Sequence, residues 1–170
     1  MNKEAVIRTV SGKMVDVVNP DPGTIDIKDI AWALAGEQRF GGHLPERYTV
    51  AEHSIWVCEL VRAHSNPGEG LELEGLLHDS AEAYLRDMPS PIKDLLPEYQ
   101  ELEESLLRVI GKKFKATLSP KPDIVAHFDR DALCAEWWQL MTRGHERTLP
   151  SWPDGGYRRF LELYDELKRV

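Results

Sequence analysis

The run Leu76-Leu77-His78-Asp79-Ser80-Ala81-Glu82 constrains this chain most. It places three ionisable groups within a segment, about Leu71 to Leu85, that otherwise reads as a core helix. His78 and Glu82 are four apart and Asp79 and Glu82 three apart, spacings that put side chains on one side of a helix. Burying such groups together is costly unless something compensates their charge. Imidazole nitrogen beside carboxylate oxygen suits a divalent zinc, manganese, iron or cobalt ion. Any fold for this chain therefore has to bring further ligands to that helix.

The rest of the pattern is mostly helical. Val6–Val10 and Met14–Val18 are rich in β-branched residues, and Ser11-Gly12 divides them, which predicts a small β-hairpin. Asn19-Pro20-Asp21-Pro22-Gly23 stops regular structure. Ile27, Ile30, Ala31 and Leu34 share one helical face, giving a helix from Ile25 to about Glu37. A loop runs from Arg39 to Tyr48. Thr49 followed by Glu52 has the spacing of a capping box, opening a helix that ends near His64. Ser65-Asn66-Pro67-Gly68 reads as a turn. Beyond Leu85, Met88-Pro89-Ser90-Pro91 breaks the helix. A long amphipathic segment covers about Ile92 to Phe114, with Pro97 kinking or splitting it. Ile124 to about Met141 and Tyr157 to Leu167 complete the helices. The expectation is an all-α chain of about six helices with a small N-terminal hairpin, forming one domain over 1–170. Within it, 1–24 would be the hairpin and loop, 25–141 the core, and 142–170 a C-terminal loop and helix.

Composition removes several function classes. Lys and Arg total 21 against 29 Asp and Glu, a formal net charge of −8, which argues against a nucleic-acid polymer or an anionic membrane as partner. Small phosphorylated ligands remain open. No run of about 18 apolar residues is present, so no membrane span is expected. Met1-Asn2-Lys3-Glu4 leads into no signal-like apolar stretch, and a cytoplasmic setting is the default expectation. Cys58 and Cys134, the two cysteines, read as buried free thiols in apolar helical runs.

Two further segments offer metal ligands. His53 lies mid-helix, with Val50, Val57 and Leu60 as neighbours at helical spacing, so it faces inward. In Ile124–Leu133, Asp129, Asp131 and His127 are rivals, and periodicity does not choose among them. His43, His64, His127 and His145 show no spacing that demands a metal. Trp56, Trp137 and Trp138 read as packing or interface residues, and Tyr99–Arg108 as a solvated face.

The ordered set His53, His78-Asp79-x-x-Glu82, Asp87-x-Pro89-x-Pro91 and a downstream aspartate resembles the HD-domain metal-dependent phosphohydrolases. Tyr48–Ser54 is similar to the segment around that family's first histidine, and Leu77–Lys93 to its small deoxynucleotide phosphohydrolases. That branch includes bacterial 5′-deoxynucleotidases and phage dATP triphosphohydrolases. Thr9–Gly12, Asn19-Pro20 and Asp29–Ala31 resemble openings of compact phage members. The likeness covers about 7–141.

The resemblance implies a helical HD fold and a divalent cofactor (Zn, Co, Mn or Mg) held by His53, His78, Asp79 and Asp129. It favours Asp129 over Asp131 because Leu133 and Glu136 follow it at the family's spacing. Glu82 would be the general acid/base off the metal. Arg39 would hold the substrate phosphate, with Lys93 as a second contact. Phe40 stands where some 5′-deoxynucleotidases carry a Trp that packs on the sugar. Asp87 would bind the sugar hydroxyl, and the loop at Pro91 would border the base. The substrate implied is a small deoxyribonucleotide, with triphosphohydrolysis of dATP the first choice and dNMP dephosphorylation the second. A homodimer or larger assembly is expected. Without the resemblance, Arg39 reads as a helix C-cap, Phe40 as core, Asp87 as a cap or exposed residue, Pro89 and Pro91 as helix stops, and the histidine cluster as part of a non-catalytic helical module.

Overall fold

The computed structural model describes residues 5–64, 71–142 and 148–169. The expected turn at 65–68, His145 and the first four residues lie outside them. The fold is mostly α with one two-stranded sheet, as expected. Antiparallel β1 (Val6–Arg8) and β2 (Met14–Asp16) pair in the register Ile7 opposite Val15. Their ladder is shorter than the β-branched runs, because the chain already turns at Thr9, whose backbone N–H donates to Lys13 and whose carbonyl accepts from Gly12. The tip is pinned by buried Asp29, which accepts from the Ser11 N–H at 3.0 Å and hydroxyl at 2.7 Å.

Eight helices follow among the described residues. α1 (Ile27–Gly36) starts two residues later than its apolar pattern, because Asp26 is the N-cap and accepts from the Lys28 N–H. α2 (Val50–His64) is the central helix and packs on α1, α3 (Glu72–Leu77), α7 (Asp123–Glu136) and α8 (Tyr157–Leu167). All six residues from Val50 to Ile55 are buried, so the core encloses the first part of this helix on every side and Glu52, His53 and Ser54 lie inside it. The main core joins α1, α2, α3, α6 (Pro97–Phe114) and α8, with Leu34, Ile55, Leu76, Ile110 and Phe160 fully buried.

Three predicted helices differ in detail. The single helix over 71–85 is instead α3, a tight turn, and α4 (Glu82–Leu85). Bonds from Ser80, Glu82, Ala83 and Tyr84 back to the third residue before each wind this stretch as 3₁₀, where side chains three apart align. Asp79 and Glu82 are such a pair. Pro97 splits the 92–114 segment into α5 (Ser90–Lys93) and α6, which it opens in the first turn, where its missing N–H costs nothing. α7 keeps α geometry only to Glu136, and Trp137–Met141 widen into a π turn. Cys134, expected to be buried, is exposed because its side of α7 borders a cleft instead of the core. Cys58 is buried as expected.

The capping box forms and does more than cap. Glu52 Oε2 accepts from Thr49 N–H at 2.8 Å, and Thr49 Oγ1 accepts from Glu52 N–H at 3.1 Å. The remaining capacity of the pair grips the C-terminal loop. Trp152 N–H donates to Glu52 Oε1 at 2.9 Å, and Thr49 Oγ1 donates to the Gly155 carbonyl at 2.7 Å. Gly155 has φ of 64°, and a Cβ there would stand 2.5 Å from the Ala35 carbonyl oxygen. Gly155→Ala is therefore expected to lower stability by more than ~1 kcal/mol. Gly36→Ala, in α1 with open space around it, should be neutral or stabilising by up to ~1 kcal/mol. Urea midpoints of the two variants against the parent chain check both.

Candidate metal centre and cleft

Backbone pairing brings the first candidate residues to the centre. Arg39 N–H donates to the Tyr48 carbonyl and Val50 N–H to the Glu37 carbonyl, so the end of the Arg39–Tyr48 loop returns beside its start. Phe40, Gly41 and Gly42 then take left-handed φ of 56°, 61° and 78°. This sharp reversal holds Phe40 in a backbone region that costs a non-glycine residue about 1 kcal/mol. It keeps both Arg39 and Phe40 on the wall of one cleft.

His53 from α2, His78 and Asp79 from the turn after α3, and Asp129 from α7 converge, with one ligand atom from each lying within 4.8 Å of the others. His53 Nε2 is 3.3 Å from His78 Nε2, 3.1 Å from Asp129 Oδ1 and 3.6 Å from Asp79 Oδ2. His78 Nε2 is 3.1 Å from Asp79 Oδ2 and 3.5 Å from Asp129 Oδ1. Both rings are oriented as a metal requires. His78 Nδ1 lies 2.8 Å from the Gly75 carbonyl, which can only accept, and His53 Nδ1 lies 2.6 Å from Glu136 Oε1. Each Nδ1 is thus held as a donor, so each Nε2 can offer a lone pair to the same small space when an ion displaces the proton there. Two lone pairs and two carboxylates facing one another fit a bound cation, and the mixed nitrogen and oxygen set suits a divalent transition ion.

The electrostatics reflect this crowding. Burial opposes ionisation of Asp79 and Asp129, yet the adjacent His78, with His53 bonded to Asp129 and Lys121 close to both, holds both carboxyls far below the usual range. His78 is pushed up to about 9, since Asp79 and Asp129 outweigh its burial and the repulsion of Lys121. Glu82 goes the other way. Burial first, then the charges of Asp79 and Asp87, push its carboxyl well above the ordinary value, and its buried Oε2 has no hydrogen-bond partner.

A cleft of about 840 Å³ opens over the two aspartates and is bordered by Arg39, Phe40, Asp79, Glu82, Asp87, Pro91, Lys93 and Asp129. The buried imidazoles of His53 and His78 lie behind them. All the site residues predicted from sequence thus meet in one place. Arg39 is no helix C-cap. Its guanidinium bonds Glu136 at 2.9 Å and faces Asp87 at 4.0 Å. Asp131, the rival of Asp129, points away and pairs with His127 on the exposed side of α7.

The structure gives roles to residues that the sequence reading left without one. Glu136 is fully buried and joins His53 to Arg39. The resemblance uses it, seven residues after Asp129 on the same helix, only to single out that aspartate. Lys121, in the Ser119-Pro120-Lys121-Pro122 stretch between two helices, places Nζ 2.6 Å from Asp129 Oδ2. Glu103, assigned to a solvated face, turns inward and bonds Lys93 at 2.8 Å. Trp137 borders the cleft and tilts against Phe40 with ring centroids 6.1 Å apart.

No family model matches the chain. The chain is similar to two uncharacterized proteins, YfdR of Escherichia coli K12 (43% identical, 64% of this chain and 57% of that protein) and one from Rhodobacter capsulatus (40% identical, 66% and 59%). It is also 30% identical to a 5′-deoxynucleotidase of Photobacterium profundum over 51% of this chain and 58% of that enzyme. The chain thus spans less than two thirds of the length of the curated relatives it matches.

The geometry predicts one metal-dependent stabilisation. Zinc or manganese at about 100 times its dissociation constant should stabilise the fold by ~2.7 kcal/mol. His78→Ala and Asp79→Ala should abolish that gain, read as a shift of the thermal midpoint with and without metal.

Proposed function

We propose that this protein is a metal-dependent phosphohydrolase of small deoxyribonucleotides. The observation that carries the reading is the convergence of four metal-ligating atoms, with both imidazoles oriented through Nδ1, in a cleft that also holds a buried carboxyl with one unpartnered oxygen and a clamped arginine. The similarity to a 5′-deoxynucleotidase supports the same chemistry. A divalent ion bound by His53, His78, Asp79 and Asp129 would polarise a phosphoryl oxygen and ease formation of a nucleophile from water.

The chain's own residues supply the rest. Arg39 presents a planar fork to the phosphate, held in orientation by Glu136. Glu82, whose raised pKa keeps it protonated more readily than an ordinary carboxyl, donates a proton to the leaving oxygen. Phe40 and Trp137 offer aromatic surface for the nucleoside, and Asp87 a carboxylate for a sugar hydroxyl. Pro91, in the first turn of α5, borders the cleft where the base would lie.

Between the mono- and triphosphate readings, charge favours the monophosphate. Among the described residues, Arg39, Lys93 and Lys121 border the cleft and each already faces carboxylates. A triphosphate would bring about four negative charges towards Asp79, Asp87 and Asp129, more than the three side-chain cations, already shared with carboxylates, can balance.

The test is a product screen over dNMPs, dNTPs and ribonucleotides with Zn, Mn, Co and Mg. Orthophosphate from dNMPs is the expected result. Tripolyphosphate from dATP would favour the triphosphohydrolase, and no hydrolysis with any metal would sink the phosphohydrolase reading in favour of a non-catalytic module. Glu82→Gln should keep metal affinity within about twofold while kcat falls roughly 100-fold or more. Metal titration alongside single-turnover assays separates the two effects.

A further inference from the structure

Asp79 and Asp129 each have two oxygens, and the structure uses them differently. Asp79 Oδ2 and Asp129 Oδ1 face the imidazole nitrogens. The outer oxygens face Lys121, whose Nζ is 2.6 Å from Asp129 Oδ2 and 3.9 Å from Asp79 Oδ1. In centres that hold two metal ions, such outer oxygens bridge to the second ion, which stands about 3.5–4 Å from the first and shares the phosphoryl charge. Here an ammonium faces those outer oxygens.

The lysine is held there from both sides. Pro120 and Pro122 flank it, fixing φ on either side, and Pro122 is the residue from which α7 departs. Asp129 lies less than two turns further along α7, so the lysine's base and its carboxylate partner share one rigid support. Lys121 also borders the cleft, beside the two aspartates, while Arg39 reaches it from the turn after α1 and is bonded to Glu136 of α7. An ammonium has three N–H donors, and the single short bond to Asp129 leaves two for another acceptor.

We propose that Lys121 is a built-in second cation of this centre. It restricts the chain to one divalent ion, and its ammonium meets the reacting phosphate together with Arg39. The second part rests on the phosphohydrolase reading, whereas the first concerns metal binding alone.

The metal-free chain titrated with Mn²⁺, with bound metal counted after equilibrium dialysis, should take one ion per chain. Lys121→Met, which keeps the length of the side chain and removes its charge, should take a second ion. Loaded with a single zinc ion per chain, as the parent is, it should bind inorganic phosphate about tenfold more weakly, as expected for loss of a charged hydrogen bond. Lys121→Arg should hold a single ion, and it keeps the test open if the methionine variant does not fold. Two ions in the parent chain, one ion in Lys121→Met, two ions in Lys121→Arg, or unchanged phosphate affinity in Lys121→Met would each overturn the proposal. A parent chain that holds one ion and binds phosphate but hydrolyses no nucleotide would refute the proposed function and leave the role of Lys121 standing.

Discussion

The hydrogen bond from His53 Nδ1 to Glu136 is the contact on which the centre depends. It joins the central helix to α7 inside the protein, where both partners are fully buried. A carboxylate in such a place is expensive unless every oxygen is engaged. Glu136 meets that condition by binding His53 with one oxygen and Arg39 with the other, and these two partners outweigh burial to keep its pKa low. One side chain thereby sets the tautomer of a candidate metal ligand and the direction of a candidate phosphate ligand. Arg39 in turn stays charged, because Glu136, Asp79, Asp87 and Glu82 more than offset its own burial.

The scaffold around that bond is built from ordinary local rules used twice. Thr49 and Glu52 cap α2, as their spacing requires, and their remaining atoms hold the loop at Trp152 and Gly155. The same helix start is paired with the strand-like stretch at Gln38, which delivers Arg39 to the cleft. A stability device at the N-terminus of α2 is therefore also the device that places a functional side chain. Phe40 accepts a left-handed backbone in the same reversal, a local cost of the kind that accompanies binding sites.

Charge explains why an acidic chain can be matched to an anionic ligand. The net charge of −8 belongs to the whole molecule, whereas the cleft is an alternation of carboxylates and cations. Lys93 lies between Glu82 and Glu103, Lys121 beside Asp79 and Asp129, and Arg39 between Glu136 and Asp87. A divalent ion added to this arrangement would shift the local balance positive at one point only, next to the protonatable Glu82.

Sequence alone determined the helical class, the capping box, and the metal-ligating types in His53, His78 and Asp79. Each of these is written in short-range spacing, and the physics behind it acts within one helical turn. Resemblance carried the selection of Asp129, since Asp131 has the same chemistry two residues away. Tertiary structure decided that selection physically, by turning Asp129 towards His53 and leaving Asp131 in solvent beside His127. It also decided the roles open to Glu136, Lys121 and Glu103, whose partners lie on other elements. Glu136 and Arg39 are 97 residues apart in the chain. Periodicity can say that a carboxylate sits on a helix, but only the packing of one helix against another says which charge it meets and whether water reaches it.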